Sequence, residues 1–371
     1  DAEDGDGTSA GSLTFDATNT SGLGDVRIDN LGDGDPTAGG GDNVETNTAT
    51  LDNINQGVGV EVNGSTNGSD VDLQFNDTSG LGDSTTVTLT NAFLGNNTGG
   101  TDGLEANGIE TLTLESAGDP QDGNNTLETV IAGAVTDLGI EGGNNLAVTN
   151  SLDTASSNIE TISAGNASGD LTLTMGSIGQ AVNATLGSGD DTLDGSGLSG
   201  NALTASGGDG ADNLTGGNAG DDQRGGAGAD TLNGGSGGDT LDGGAGDDSI
   251  SGGAGDDSVI GGAGNDTLSI GAGEDSMTAG GGNDIVDLGG NLSAGDDINA
   301  GDGEDLLSDT AANLTSVESN TAALDSLSNF EGVSLSSDLA AAGDSSLDVS
   351  EFGGANERIL LNTDQTNSSD N

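Results

Sequence analysis

The sequence predicts an all-β chain wound as a parallel β-roll or β-helix, that is, a solenoid. Three observations carry this. A nine-residue unit stays in phase over 81 residues, from 207 to 287. Short Thr/Val/Leu runs bounded by Gly, Asn and Asp precede it, and helical periodicity is nearly absent. The chain divides on texture into a Thr/Asn/Val-rich region at 1–185, a Gly-Asp repeat region at 186–308 and a short β-rich segment at 309–371.

Composition narrows the chemistry first. The 371 residues carry 64 acids against 3 bases (Arg27, Arg224 and Arg358), a formal charge of −61, so nucleic acid and anionic membrane are excluded as partners by repulsion. The same charge opposes compaction unless cations neutralise clustered carboxylates. There is no Cys, His, Trp or Tyr, which removes thiolate and imidazole metal sites, the usual nucleophile systems and aromatic platforms. Oxygen ligands remain, and they suit hard cations. No signal peptide and no run of about 18 apolar residues is present, so no membrane span is expected. The chain reads as a processed or truncated piece.

In the first region, STTVTLTNAF at 84–93 and GDLTLTM at 169–175 have strand composition. A loose motif recurs as NVETNTATL at 43, GIETLTLES at 108, TLETVIAGA at 126 and NIETISAGN at 158. It returns as SVESNTAAL at 316 and NFEGVSLSS at 329. Such strands suit either solenoid coils or a sandwich. SDLAAAGDS at 337–345 suggests one brief helix.

The repeat region parses without a gap into nine units starting at 207, 216, 225, 234, 243, 252, 261, 270 and 279. Position six is always Asp: Asp212, Asp221, Asp230, Asp239, Asp248, Asp257, Asp266, Asp275 and Asp284. Position eight is apolar in eight of nine, with Gln223 the exception. Flanking copies extend the pattern to Asp191 on one side and, past the out-of-phase insertion LGGNLS, to Asp297 and Asp305 on the other.

Written G-G-x-G-x-D-x-U-x with U apolar, the unit has a physical reading. Glycines at positions one and four (Gly225, Gly228, Gly234, Gly237, Gly243, Gly246, Gly252, Gly255, Gly261 and Gly264) permit a tight loop whose carbonyls turn toward one point. The x-U-x that follows is a short strand with U inward. One unit is then half a coil, and two make a coil of 18 residues, stacking Asp230 under Asp248 and Asp248 under Asp266, with Asp239, Asp257 and Asp275 on the opposite edge. Bare carboxylates stacked about 4.8 Å apart repel. Ca²⁺, which takes about six to eight oxygens and accepts carbonyls with carboxylates, reverses the sign. The nine Asp residues give seven pairs, and the flanks add one or two, so seven or more Ca²⁺ sites are expected. Seven ions offset fourteen charges, close to the sixteen acids between 207 and 287.

GGAGDDSIS, GGAGDDSVI and GGAGNDTLS resemble the nonapeptides of the RTX (repeats-in-toxin) family. The resemblance covers roughly 187–308 and implies a Ca²⁺-bound parallel β-roll and secretion, typically by a type I system, into Ca²⁺-rich medium. It departs locally at Ala219, Gln223, Ile270 and Ala279, which puts sites using Asp221 in doubt. The Thr/Asn-rich coils ahead of the repeats are similar in texture to bacterial RTX-type surface-layer proteins and large surface adhesins.

Other residues carry blander readings. Asp247 and Asp256 are read as solvent-facing charge, and Glu45, Glu110, Glu128, Glu160, Glu318 and Glu331 as repeated turn or strand-edge residues. GDSSLDVSE at 343 lacks the Gly and Glu of an EF-hand loop and is read as a turn. The arginines are read as local salt-bridge or capping partners. The expectation is a non-enzymatic, extracellular, calcium-binding structural protein that assembles with copies of itself, with surface polysaccharide as a second candidate partner. The alternatives are a fragment of an RTX adhesin or biofilm-matrix protein, or the secretion and folding tail of an RTX exoenzyme.

Overall fold

The computed structural model describes residues 12–16, 26–29, 47–54, 59–63, 69–75, 84–90, 92–94, 103–118, 124–131, 133–152, 158–293, 295–309, 327–335 and 358–360. Every strand pairing given among them is parallel. The chain forms two compact units, 1–208 and 209–371, so the coils of 186–208 count with the first. Among the described residues no helix is long and apolar enough to cross a membrane. The brief helix expected at 337–345, the turn at 343–351, and Glu45 and Glu318 lie outside the described residues.

In the first unit, one column of strands runs Val26–Asp29, Val60–Asn63, Ser84–Thr90, Thr111–Ala117, Asp137–Gly142, Thr161–Ala167 and Val182–Thr185, each parallel to the next. A second column takes the alternate strands, ending with Asn125–Ile131, Leu146–Leu152, Leu171–Met175 and Thr192–Asp194. Parallel pairing through long crossovers is a solenoid and excludes the antiparallel sandwich. Thr111 pairs Asp137, Asp137 pairs Thr161, and Thr161 pairs Asn183. The coil therefore shortens from 26 (137 − 111) to 24 (161 − 137) to 22 (183 − 161) residues.

Alternation along these strands sends Leu112, Leu114, Leu138, Ile140, Ile162 and Ala164 into the core. One polar group is buried with them. Asn125 is fully enclosed, but its Oδ1 accepts the Ala92 N–H and its Nδ2 donates to Ser116 Oγ and to the Leu89 and Ala117 carbonyls. With those partners its burial costs little.

In the second unit the coil settles at 18 residues: Thr231 pairs Ser249, Ser249 pairs Thr267, and Thr267 pairs Ile285. On the other side Thr240 pairs Ser258 and Ser258 pairs Ser276. Position eight faces inward as expected, with Leu214, Leu232, Leu241, Ile250, Val259, Leu268, Met277 and Val286 all buried. Ile270 and Ala279, read as departures because they replace a first-position glycine, are buried too. They stand two residues after Leu268 and Met277, so strand alternation points both members of each pair into the same core. Arg27 and Arg224 form exposed ion pairs with Glu61 and Asp242 at 3.7 and 3.8 Å, worth at most about 1 kcal/mol.

Gln223 is the flaw in this row. It is fully buried where its neighbours are aliphatic; its Nε2 reaches the Asn233 carbonyl at 3.1 Å, and its Oε1 has no hydrogen-bond partner. Leaving such an atom unsatisfied costs roughly 1–3 kcal/mol. Gln223→Leu is expected to stabilise the second unit by about 1 kcal/mol, read as a higher urea midpoint in the presence of calcium; a lower midpoint refutes the packing assigned to this position.

Candidate metal centre

Each repeat turns its corner at the position-six Asp. Asp212, Asp221, Asp230, Asp239, Asp248, Asp257, Asp266, Asp275, Asp284 and Asp305 are all at most 3% exposed, as is Asp191 in the first unit. They are buried because the corner lies between the inward position-eight side chain of one strand and the loop of the next. The backbone N–H of each donates to Oδ1 of the Asp one coil further on. On one edge the bonds run Asp212 to Asp230, Asp230 to Asp248, Asp248 to Asp266, Asp266 to Asp284 and Asp284 to Asp305, at 2.8–2.9 Å. On the other they run Asp221 to Asp239, Asp239 to Asp257 and Asp257 to Asp275, at 2.8–3.0 Å. The 18-residue stacking read from the repeat is therefore the stacking found.

One expected ligand is displaced by a residue. Asp275 N–H donates to Asp296, which is 4% exposed; Asp297 faces solvent as the first residue of its strand, opposite Ser276. Ile298 must point inward beside Met277, so two-residue alternation turns its neighbour Asp297 outward and leaves the corner to Asp296. Counting back two residues from Ile298 would have found it.

The second carboxylate oxygens divide the Asp residues. Oδ2 of Asp191, Asp221 and Asp296 accepts an N–H from its own loop: Gly187 at 3.2 Å, Gly217 at 2.7 Å and Ser293 at 2.6 Å. Oδ2 of Asp230, Asp239, Asp248, Asp257, Asp266, Asp275, Asp284 and Asp305 is buried with no hydrogen-bond partner. Eight such atoms in phase are too many to be packing errors, since a buried carboxylate oxygen demands a donor or a cation.

The glycines enclose these oxygens. A methyl group on Gly225, Gly234, Gly243, Gly252 or Gly261 would collide with Oδ2 of that loop's own Asp and with the backbone carbonyl one coil on, from Gly243, Gly252, Gly261, Ile270 and Ala279 respectively. Carboxylate and carbonyl oxygens thus flank one small space at each corner. Position four is constrained differently: Gly228, Gly237, Gly246, Gly255 and Gly264 have φ between 127° and 140° and press on the position-four residue of the preceding coil. Position two, not singled out from spacing, is under the same constraint, for example Gly244 with φ 106° against the Gly226 carbonyl.

Outside this corner runs a second ladder. Asp247 and Asp256 are exposed, as expected for solvent-facing charge, but their Oδ1 atoms also accept the N–H of Asn265 and Glu274 one coil on, at 2.7 and 2.9 Å. Asn265 does the same for Asn283. The inner carboxylates hold the preceding coil and the outer side chains the following one. Glu110 and Glu160 stand at coil corners of the first unit, where the Glu110 carbonyl accepts from Thr136 and Asp137 and the Glu160 carbonyl from Asn183. That is the turn role expected of them.

Burial pushes Asp248, Asp257 and Asp305 up to about 6, against the pull of the backbone N–H each accepts and with the push of neighbouring carboxylates. Burial likewise raises Asp191, Asp230, Asp239, Asp266, Asp275 and Asp284. Among the described residues no three carboxylates cluster closely enough to hold a metal alone. A cation at these corners must combine carboxylate with backbone carbonyl, which is the donor set that calcium accepts.

A parallel solenoid with a carboxylate-and-carbonyl corner in every half-coil defines a calcium-loop β-roll. Residues 233–268 and 271–291 match the RTX calcium-binding nonapeptide repeat, in four copies. The chain is an RTX-repeat protein, and RTX nonapeptide repeats bind calcium. No curated protein and no solved structure matches the chain.

Two outcomes follow from this geometry. A carboxyl whose pKa rises on folding holds its proton more tightly in the folded state. Without calcium the array should therefore be most stable at or below about pH 3.8 and lose that stability as pH rises toward about 6. Urea midpoints in chelator that rise over this window refute the burial assigned to these groups. Asp257→Asn, which keeps the acceptor for Asp239, should weaken calcium binding on the order of tenfold at its corner, whereas Asp256→Asn leaves it nearly unchanged; calorimetric titration separates the two.

Proposed function

We propose that the chain is a calcium-folded structural protein of the cell exterior that assembles with copies of itself into a surface layer or filament, and that it performs no catalysis of its own. The observation that carries this reading is the run of eight buried, unpartnered Asp Oδ2 atoms. They call for eight or more calcium ions, each held by a corner Asp, its stacked neighbour and the intervening carbonyls. RTX-repeat proteins are typically secreted, and an external medium is where such an array meets enough calcium to fold. The inward rows of the array are single aliphatic side chains of limited area, so binding and folding are nearly one event.

Assembly rests on the remaining charge. A surface with 64 acids and 3 bases repels its copies until divalent ions bridge them. Solenoid ends present unpaired strand edges suited to head-to-tail contact, which gives open arrays rather than closed rings.

In chelator the array should lack strand signal by circular dichroism and gain it in millimolar calcium. Sedimentation in the same two conditions should show monomers and large assemblies respectively. Equal strand content in both defeats the calcium reading, and identical monomeric sedimentation defeats the assembly reading.

A further inference from the structure

We propose that residues 327–334 form a divergent terminal calcium loop, in which Glu331 and Asp305 close one edge of the array around a further calcium ion. This rests on the calcium reading above and adds a site outside the matched repeats, at a glutamate whose sequence suggests only a turn.

The backbone carries the correspondence. Asn329 has φ 62° and is the one non-glycine residue with positive φ among those described. It stands two residues before Glu331, as the positive-φ glycine of position four stands two before the Asp of position six. Asn is the side chain that best tolerates this conformation. After Glu331 the strand Gly332–Leu335 pairs with Leu306–Asp309, setting Gly332 opposite Leu306 and Val333 opposite Leu307. Val333 is buried and occupies position eight. Loop, corner acid and inward apolar residue thus recur in register with no recognisable nonapeptide.

The corner chemistry recurs as well. Asp305 N–H donates to Glu331 Oε2 at 2.8 Å, as Asp284 N–H donates to Asp305 Oδ1 at 2.8 Å. The Glu331 and Gly332 N–H groups both donate to the Asp305 carbonyl at 3.1 Å, which fixes the glutamate over the aspartate. Asp305 is fully buried, and its Oδ2 has no partner. The other edge ends differently. Asp296 takes the Asp275 N–H at 2.9 Å together with the Ser293 N–H at 2.6 Å and the Ser293 hydroxyl at 3.0 Å. That edge is closed by the chain's own hydroxyl and amide, supplied by the LGGNLS insertion. Where Asp305 ends its edge, the chain supplies a second carboxylate instead of a donor, and two stacked carboxylates are satisfied by a cation.

The full chain tests this. Calcium bound per chain is counted by equilibrium dialysis for the wild type, for Glu331→Gln, which keeps an acceptor for the Asp305 N–H, and for Glu160→Gln, a glutamate of the same motif at a corner of the first unit. Glu331→Gln should lose one calcium per chain, and Glu160→Gln none. The second measurement uses terbium(III) as the probe. Of the five phenylalanines only Phe330 adjoins a corner of this array, next to Glu331. Terbium bound there should emit on phenylalanine excitation, and Phe330→Leu should abolish most of that emission while leaving every carboxylate in place. If the wild type binds no calcium, the calcium reading falls and this site with it. If the wild type binds calcium, an undiminished count in Glu331→Gln overturns the terminal site alone, as does undiminished emission in Phe330→Leu. Should Glu331→Gln fail to reach wild-type strand content in calcium, the Phe330→Leu result decides.

Discussion

The second unit depends on how one carboxylate spends its two oxygens. Oδ1 of each corner Asp accepts the N–H of the Asp one coil back and so fixes the stacking of coils. Oδ2 is left buried beside a backbone carbonyl. The first bond is charge-assisted and favourable; the second oxygen is a standing electrostatic cost until a cation arrives. The glycines follow from this division. Position one must be small where Oδ2 and the carbonyl converge, and positions two and four must turn with positive φ while pressing on the coil beneath.

The two units solve the same packing problem with different means. In the first, coils of 22 to 26 residues bury paired rows such as Leu112 with Leu114 and Leu138 with Ile140. Polar interruptions there are satisfied internally, as Asn125 shows with its hydrogen bonds to Leu89, Ala92, Ser116 and Ala117. In the second, the 18-residue coil leaves mostly single inward side chains, Leu232, Leu241, Ile250 and Val259. Less apolar area per coil means less hydrophobic stabilisation, so a larger share must come from the corners. Shortening the coil trades core for metal.

The array was legible because phase survives where composition misleads. A chain with 72 glycines reads as a tether until Asp and the apolar residue are seen to keep step. The inward row and the 18-residue stack followed from alternation alone. The coils of the first unit were not countable, because their length changes at every turn and no position repeats at a fixed interval. Sandwich and solenoid therefore stayed open until pairing showed parallel strands. Asp297 was taken for Asp296 because the insertion breaks the phase and the two acids are adjacent; only the inward Ile298 settles which one turns the corner. Glu331 was hidden further. Its loop has lost the glycines, and its place is marked by the positive φ of Asn329, which no composition reveals.

Inner and outer ladders together explain why calcium suits the corner better than a smaller ion. Each loop is tied backward through Asp Oδ1 and, where position five is Asp or Asn, forward through that side chain, as at Asp247 and Asn265. The loop backbone is thereby held at the coil spacing whatever ion enters. Magnesium demands a near-ideal octahedron at about 2.0–2.1 Å and gives up its water reluctantly, whereas calcium accepts irregular shells of about six to eight oxygens at longer distances. A corner whose oxygens come from two coils of a fixed repeat cannot contract around a small ion without breaking the ladders that define it. The constraint that makes the coil regular therefore also sets the size of the cation it can hold.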